Sequence, residues 1–122
     1  ASYIMCSEAT YERANYGINK DKILFRRLDR VRVINIKTPV QLYNVIGFID
    51  DITNEQRKEI DMFHAALDLY LDRKFVEAGK LFVKANSVFA DDTALVYAER
   101  CKNYIENGVP DNWDGIFNMT SK

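Results

Sequence analysis

Histidine occurs once, at His64, and cysteine twice, at the well-separated Cys6 and Cys101. A zinc site needs about four N, S or O ligands at local spacing, and no such cluster exists in the sequence. Two cysteines do not make a disulfide framework, so both are read as free thiols in a reducing compartment. No apolar run approaches the ~18 residues of a membrane-spanning helix. The opening Ala1-Ser2-Tyr3-Ile4-Met5-Cys6 has no basic segment and no long apolar one, so it does not read as a signal peptide. It also lacks an initiator methionine, and Tyr3-Ile4-Met5 reads as a strand starting almost at once; the expectation is a chain cut from something longer. Neither sign of charge is in excess. With 17 Lys and Arg against 18 Asp and Glu, the formal net charge is −1, which excludes a basic nucleic-acid-binding protein and a supercharged tail. What is present is apolar residues at 48% and aromatics at 12%, enough to build a core. The fold class read from this is α+β.

The pattern changes near residue 50. The first half reads strand, helix, strand, strand. Ser7 is suited to cap the helix, because its hydroxyl can accept from an orphan N–H of the first turn, and Glu8 then lies at the positive end of the helix dipole. The helix covers about 8–15 and fades at Gly17. Residues 23–33, rich in branched side chains, read as a long strand. Pro39 suits the start of the next, over 40–46, with Val40, Leu42, Asn44 and Ile46 on one face, Gln41, Tyr43 and Val45 on the other, and Gly47 at its end. The second half is helical almost throughout. Thr53-Asn54-Glu55-Gln56 is a capping box. Met62, Ala66, Leu69 and Tyr70 recur at helical spacing. Arg73-Lys74 marks a break. Phe75, Ala78, Phe82 and Ala85 define a second helix. Asp91 or Asp92 starts a third, carrying Leu95, Val96, Ala98, Cys101, Tyr104 and Ile105. Asn107-Gly108 closes it as a left-handed stop, with Pro110 just beyond.

Three pieces of the first half, taken in order, resemble the end of a class III adenylate/guanylate cyclase catalytic domain. Ser7-Glu8-Ala9-Thr10-Tyr11-Glu12 is similar to the family's serine-glutamate-x-threonine-tyrosine helix start. Phe25-Arg26-Arg27-Leu28-Asp29-Arg30-Val31-Arg32-Val33 is similar to its penultimate strand. Pro39-Val40-Gln41-Leu42-Tyr43-Asn44-Val45-Ile46-Gly47 is similar to its closing strand. The resemblance spans residues 6–47. It implies a parent that forms cyclic AMP from ATP with Mg or Mn, since charge developing on phosphate oxygens calls for metal ions and cationic side chains. The family's metal-binding aspartates and transition-state asparagine and arginine precede the residues matched here. The resemblance therefore implies no catalytic, cofactor-binding or metal-binding residue in this chain. The family's turn V-K-G-K, one lysine of which binds triphosphate, corresponds to Val33-Ile34-Asn35-Ile36, with isoleucine at both lysine positions. Lys37 is one residue along, and on a strand that shift points a side chain to the other face. It is read as a solvated turn lysine.

Residues 62–95 resemble one tetratricopeptide repeat, a helix hairpin of period ~34. Ala66 and Ala78 take the small contact positions, Phe82 fills the groove between the helices, and Ala90 stands where the repeat usually has proline. One repeat cannot bury a continuous core alone. The reading is a docking surface for a partner or a helical spacer. The tail, Asn112-Trp113-Asp114-Gly115-Ile116-Phe117-Asn118-Met119, is similar to a W-D-G-x-F stretch that ends some such extensions, and Trp113, Ile116 and Phe117 are expected to dock on the helices.

The expected organisation is thus residues 1–50 as a partial cyclase-type sheet, 51–108 as three tetratricopeptide-like helices and 109–122 as a docked tail. Arg26, Arg27, Arg30 and Arg32 could hold anions, but without interleaved aromatics they read as a solvated sheet face or intramolecular ion pairs. His64 has no nucleophile in the pattern around it, and Asp50-Asp51 and Asp91-Asp92 read as capping pairs. Truncated sheet edges recruit other chains, so a homodimer or swapped arrangement is expected, with the helices open to a protein partner, no nucleic acid and no direct membrane contact. The expected location is cytoplasmic, on the cytoplasmic side of a membrane-anchored parent if the parent carries an anchor. The alternative is a non-catalytic interaction module from a degenerate cyclase.

Overall fold

The computed structural model describes residues 4–32, 38–88 and 92–118. Tyr3, residues 33–37 with Ile34, Ile36 and Lys37, Ala90, Asp91 and Met119 lie outside the described residues. The class is α+β, with a four-stranded sheet and four α-helices among these residues. The chain divides into a helical unit, Thr53–Asp114, and a sheet unit built from the residues on either side of it.

The sheet unit begins with β1 (Ile4–Ser7). It runs straight into α1 (Glu8–Ala14), where the Ser7 hydroxyl accepts from the Thr10 N–H. β2 (Ile23–Arg32) and β3 (Val40–Phe48) follow, and β4 (Phe117–Asn118) completes the order β1-β3-β2-β4. β3 lies antiparallel to both β1 and β2, and β4 runs parallel to β2. β3 continues through Gly47 to Phe48, past the expected stop at Gly47, because Leu24 pairs with Gly47 and Ile23 with Phe48. The β2–β3 ladder slips twice, between Leu24 and Phe25 and between Arg27 and Arg30. At the second slip the bulged strand leaves carbonyls without ladder donors. The Gln41 side-chain amide fills that need, donating to the Leu28 carbonyl at 2.6 Å and the Asp29 carbonyl at 3.2 Å.

The helical unit holds α2 (Asn54–Leu71), α3 (Phe75–Val88) and α4 (Asp92–Asn107). The capping box is formed in both directions: Gln56 N–H donates to Thr53 Oγ1 at 3.1 Å, and Thr53 N–H donates to Gln56 Oε1 at 2.9 Å. Arg73, at φ 63°, turns the chain between α2 and α3. Gly108, at φ 74°, closes α4 by donating its N–H to the Tyr104 carbonyl. The core is aromatic side chains set among alanines. Phe63, Phe82, Ala66, Ala78, Ala85 and Ala94 have no exposed surface, and Phe63, Phe82 and Tyr97 meet at ring centroid distances of 5.2–5.5 Å. α2 buries Ile60, Phe63, Ala66, Leu67 and Tyr70, whereas Met62 and Leu69, which the sequence spacing favoured, are only half-buried.

The tail does not dock as one piece on the helices. Trp113 packs against Tyr70, Phe75 and Tyr104 at 5.4–5.8 Å, and Arg73 holds the chain beside it by donating to the Asp111 and Trp113 carbonyls. From Gly115 the chain belongs to the sheet unit. There Val31 pairs with Phe117, and Arg32 donates to Asn118 Oδ1 at 2.6 Å. An isolated apolar pair such as Ile116-Phe117 can be accommodated by a strand as readily as by a helix face, and the open edge of β2 supplies backbone partners.

Candidate functional site

α3 and α4 are joined by three residues, which makes them antiparallel neighbours. They approach closely where Gly79 faces Cys101: a Cβ on Gly79 would lie 3.4 Å from the Cys101 Cβ. Beside this contact their outer faces form a groove of about 750 Å³. Its apolar lining is Val76 and Val83 from α3 and Leu95 and Ile105 from α4, which are 50%, 54%, 44% and 53% exposed. Lys80, Lys102, Glu99 and Glu106 also line it. The sequence pattern marked Leu95 and Ile105 as apolar positions of α4, but α4 buries Ala94, Tyr97 and Cys101 against the unit instead. Leu95 and Ile105 are therefore left as a second apolar stripe facing outward. A groove between antiparallel helices with apolar walls and a charged rim suits helix-in-groove recognition.

Cys101 lies at the floor of the groove, 1% exposed. Burial pushes its thiol up from 9.0 to about 11, against an opposing pull from Arg100. It is a packed thiol rather than a nucleophile. Burial also raises Cys6, which is half-buried on β1.

The sheet unit contributes two further clusters. Tyr11 of α1 stacks on Tyr43 of β3 with ring centroids 4.1 Å apart, and both meet Phe25 of β2 edge-on at 4.8 and 6.3 Å. Burial, followed by the neighbouring Tyr11, raises the pKa of Tyr43. Elsewhere in the sheet, Arg26 and Asn44 are register partners and both are buried, at 1% and 5% exposure. Arg26 donates from Nε and Nη2 to Asn44 Oδ1 at 3.2 and 2.9 Å. Of the four arginines expected on a solvated face or in intramolecular ion pairs, Arg26 is therefore not on a solvated face. Strand alternation sends Arg26 and Arg27 to opposite faces; Arg26 is enclosed, Arg27 and Arg32 are half-buried, and Arg30 is exposed.

The remaining candidates are dispersed. His64 is half-buried on α2, its ring 6.3 Å from that of Phe63. Asp50 and Asp51 lie exposed in a 3-10 turn, and Asp92 is in the first turn of α4. Among the described residues no group of three or more His, Cys, Asp or Glu side chains could hold a metal ion, and no helix is long and apolar enough to cross a membrane. The groove itself was not legible as a site in the sequence. The signal that could have found it is the excess of apolar residues on α4, more than one helix face can bury.

Comparison of the chain with protein-family models, with curated proteins and with solved structures finds no match.

Proposed function

We propose that this chain is the C-terminal portion of a class III adenylate cyclase whose parent makes cyclic AMP from ATP, and that its own role is structural or regulatory. The observation that carries the reading is the aromatic cluster of the sheet unit. Each of the three sequence pieces that resemble the cyclase end contributes one ring: Tyr11 from the helix start, Phe25 from the penultimate strand and Tyr43 from the closing strand. Segments separated by up to 32 residues in sequence are thereby packed as one unit, which supports reading them as one inherited piece rather than three chance matches. The rings contribute roughly 0.5–1.5 kcal/mol per pair beyond the area they bury.

The Mg or Mn that the parent requires is, in this reading, held by residues upstream of those matched here. In this reading residues 1–50 complete the catalytic domain's sheet, the helical unit extends it, and both lie on the cytoplasmic side. A second reading, a degenerate cyclase kept for partner binding, is favoured by Ile34 and Ile36 at the two lysine positions and by the exposed apolar groove on α3 and α4.

The test is cyclic nucleotide production from ATP with Mn²⁺ or Mg²⁺, by this chain and by one extended upstream through the catalytic domain. Turnover by the extended protein alone supports the first reading. A well-folded extended protein that neither turns over nor binds ATP refutes it in favour of the second.

A further inference from the structure

We propose that residues 111–118 act as a strap, seated at one end on the helical unit and at the other on the edge of β2, so that displacing Trp113 from the helices uncovers that edge. The inference rests on contacts within each unit and on the continuity of the chain between them. It stands under either reading of the parent.

On the helical unit, the Trp113 ring meets Tyr70 near the end of α2, Phe75 at the start of α3 and Tyr104 near the end of α4. One side chain thus senses how all three helices are packed. Arg73 fixes the backbone on either side of it, donating from Nη2 to the Asp111 and Trp113 carbonyls at 2.8 and 2.9 Å, and its guanidinium lies 5.8 Å from the Trp113 ring centroid. On the sheet unit, Phe117 and Asn118 pair with Val31 and Arg32, and Asn118 Oδ1 accepts from Arg32 at 2.6 Å. Only Asp114, Gly115 and Ile116 separate the two seats. Gly115 is buried and bends the chain at φ 78°, where a side chain would be strained.

The seats depend on each other. β4 is two residues long and both are exposed. Two edge pairs by themselves return little against the conformational entropy of fixing two residues. The Trp113 seat supplies the difference, because a tether this short keeps β4 at a high local concentration beside β2. Extended chain spans at most ~3.6 Å per residue, so three residues give little slack when Trp113 moves. A molecule that rearranges α2, α3 and α4 around Trp113 therefore acts on the sheet without touching it. With β4 gone, Val31, now 7% exposed, and Arg32 form an open edge that accepts another strand. The coupling is reciprocal, so a strand that displaces β4 from β2 loosens Trp113 in turn.

The test is amide hydrogen exchange of the full chain by NMR, reading Phe117 and Asn118 against the β1–β3 amides of Met5 and Tyr43. Trp113→Ala should speed exchange at Phe117 and Asn118 about tenfold or more and leave the β1–β3 amides unchanged. Arg73→Asn should act in the same direction but less. It removes both carbonyl bonds at an exposed position whose φ of 63° asparagine accepts. Circular dichroism checks that the helices survive both changes. An insertion of about six Gly and Ser residues between Asp114 and Gly115 lengthens the tether and leaves both seats intact. It should speed exchange at β4 by itself and make β4 indifferent to Trp113→Ala. Exchange at Phe117 and Asn118 unchanged in both single variants overturns the proposal, because β4 then holds to β2 without the strap. A Trp113→Ala effect that persists in full after the insertion, or that extends to the β1–β3 amides, also overturns it, because the effect then does not run through residues 114–116. None of these results depends on cyclase activity, which the turnover assay reads separately.

Discussion

The buried Arg26–Asn44 pair offers the sharpest test of the packing described above. Asn44→Leu keeps approximate volume but removes the oxygen that accepts from both Arg26 Nε and Nη2. At 1% exposure the guanidinium has no water to replace that acceptor without opening the sheet unit. Hydrogen bonds to charged groups are worth about 1.5–3 kcal/mol, and Asn44→Leu removes two of those that Arg26 makes. We expect Asn44→Leu to destabilise the sheet unit by about 2–3 kcal/mol. Arg26→Met removes the charge, leaves the Asn44 amide unsatisfied and forfeits the other interactions Arg26 makes; about 1–3 kcal/mol is expected. The double variant removes both ends of this bond at once, although the other groups that Arg26 meets still lose it. It should cost clearly less than the sum, with a coupling of about 2 kcal/mol. Native-state hydrogen exchange of the β2 and β3 amides is the assay, because it reads the sheet unit separately from the helices. A change of 2 kcal/mol is about a 30-fold change in exchange rate. Unchanged exchange in Asn44→Leu, or single effects that simply add, would refute the reasoning.

Three further outcomes are expected. Phe82→Ala opens a cavity among Phe63, Tyr70 and Tyr97 and should destabilise the helical unit by about 3–5 kcal/mol, measured by urea unfolding followed through Trp113 fluorescence. At pH 8 the folded chain should titrate only Cys6 with a disulfide reagent, and Cys101 should react only on denaturation. The Cys101 thiol binds its proton more tightly folded than unfolded, with a pKa raised from 9.0 to about 11. Stability of the helical unit should therefore be full below about pH 9 and fall as the pH rises toward 11, with the buried Tyr70, raised chiefly by burial, acting in the same direction. A urea midpoint unchanged between pH 8 and 10.5 would contradict this.

The elements themselves were written locally. Thr53 and Gln56 form the capping box because the bonds join residues three apart, so the sequence contains all that the geometry needs. Ser7 at the start of α1 and Gly108 at the end of α4 are likewise local devices. The breaks at Arg73 and Gly108 bound helices that hydrophobic spacing already separates. Periodicity tells which residues share a face, but not which face is covered. Only the tertiary structure decided that Arg26 is enclosed while Arg30, four residues on, is exposed. Only the tertiary structure placed Phe63 and Leu67 rather than Met62 and Leu69 in the core of α2. It alone left Leu95 and Ile105 outward, because the small residues Ala94 and Cys101 permit the closer helix approach and claim the inner face. The division of the tail at Gly115 has the same origin. Trp113 finds a ring cluster contributed by three different helices, and Phe117 finds the edge of β2 left open by β3. Burial and strand pairing are properties of neighbours, and neighbours far apart in the chain are named only when it folds.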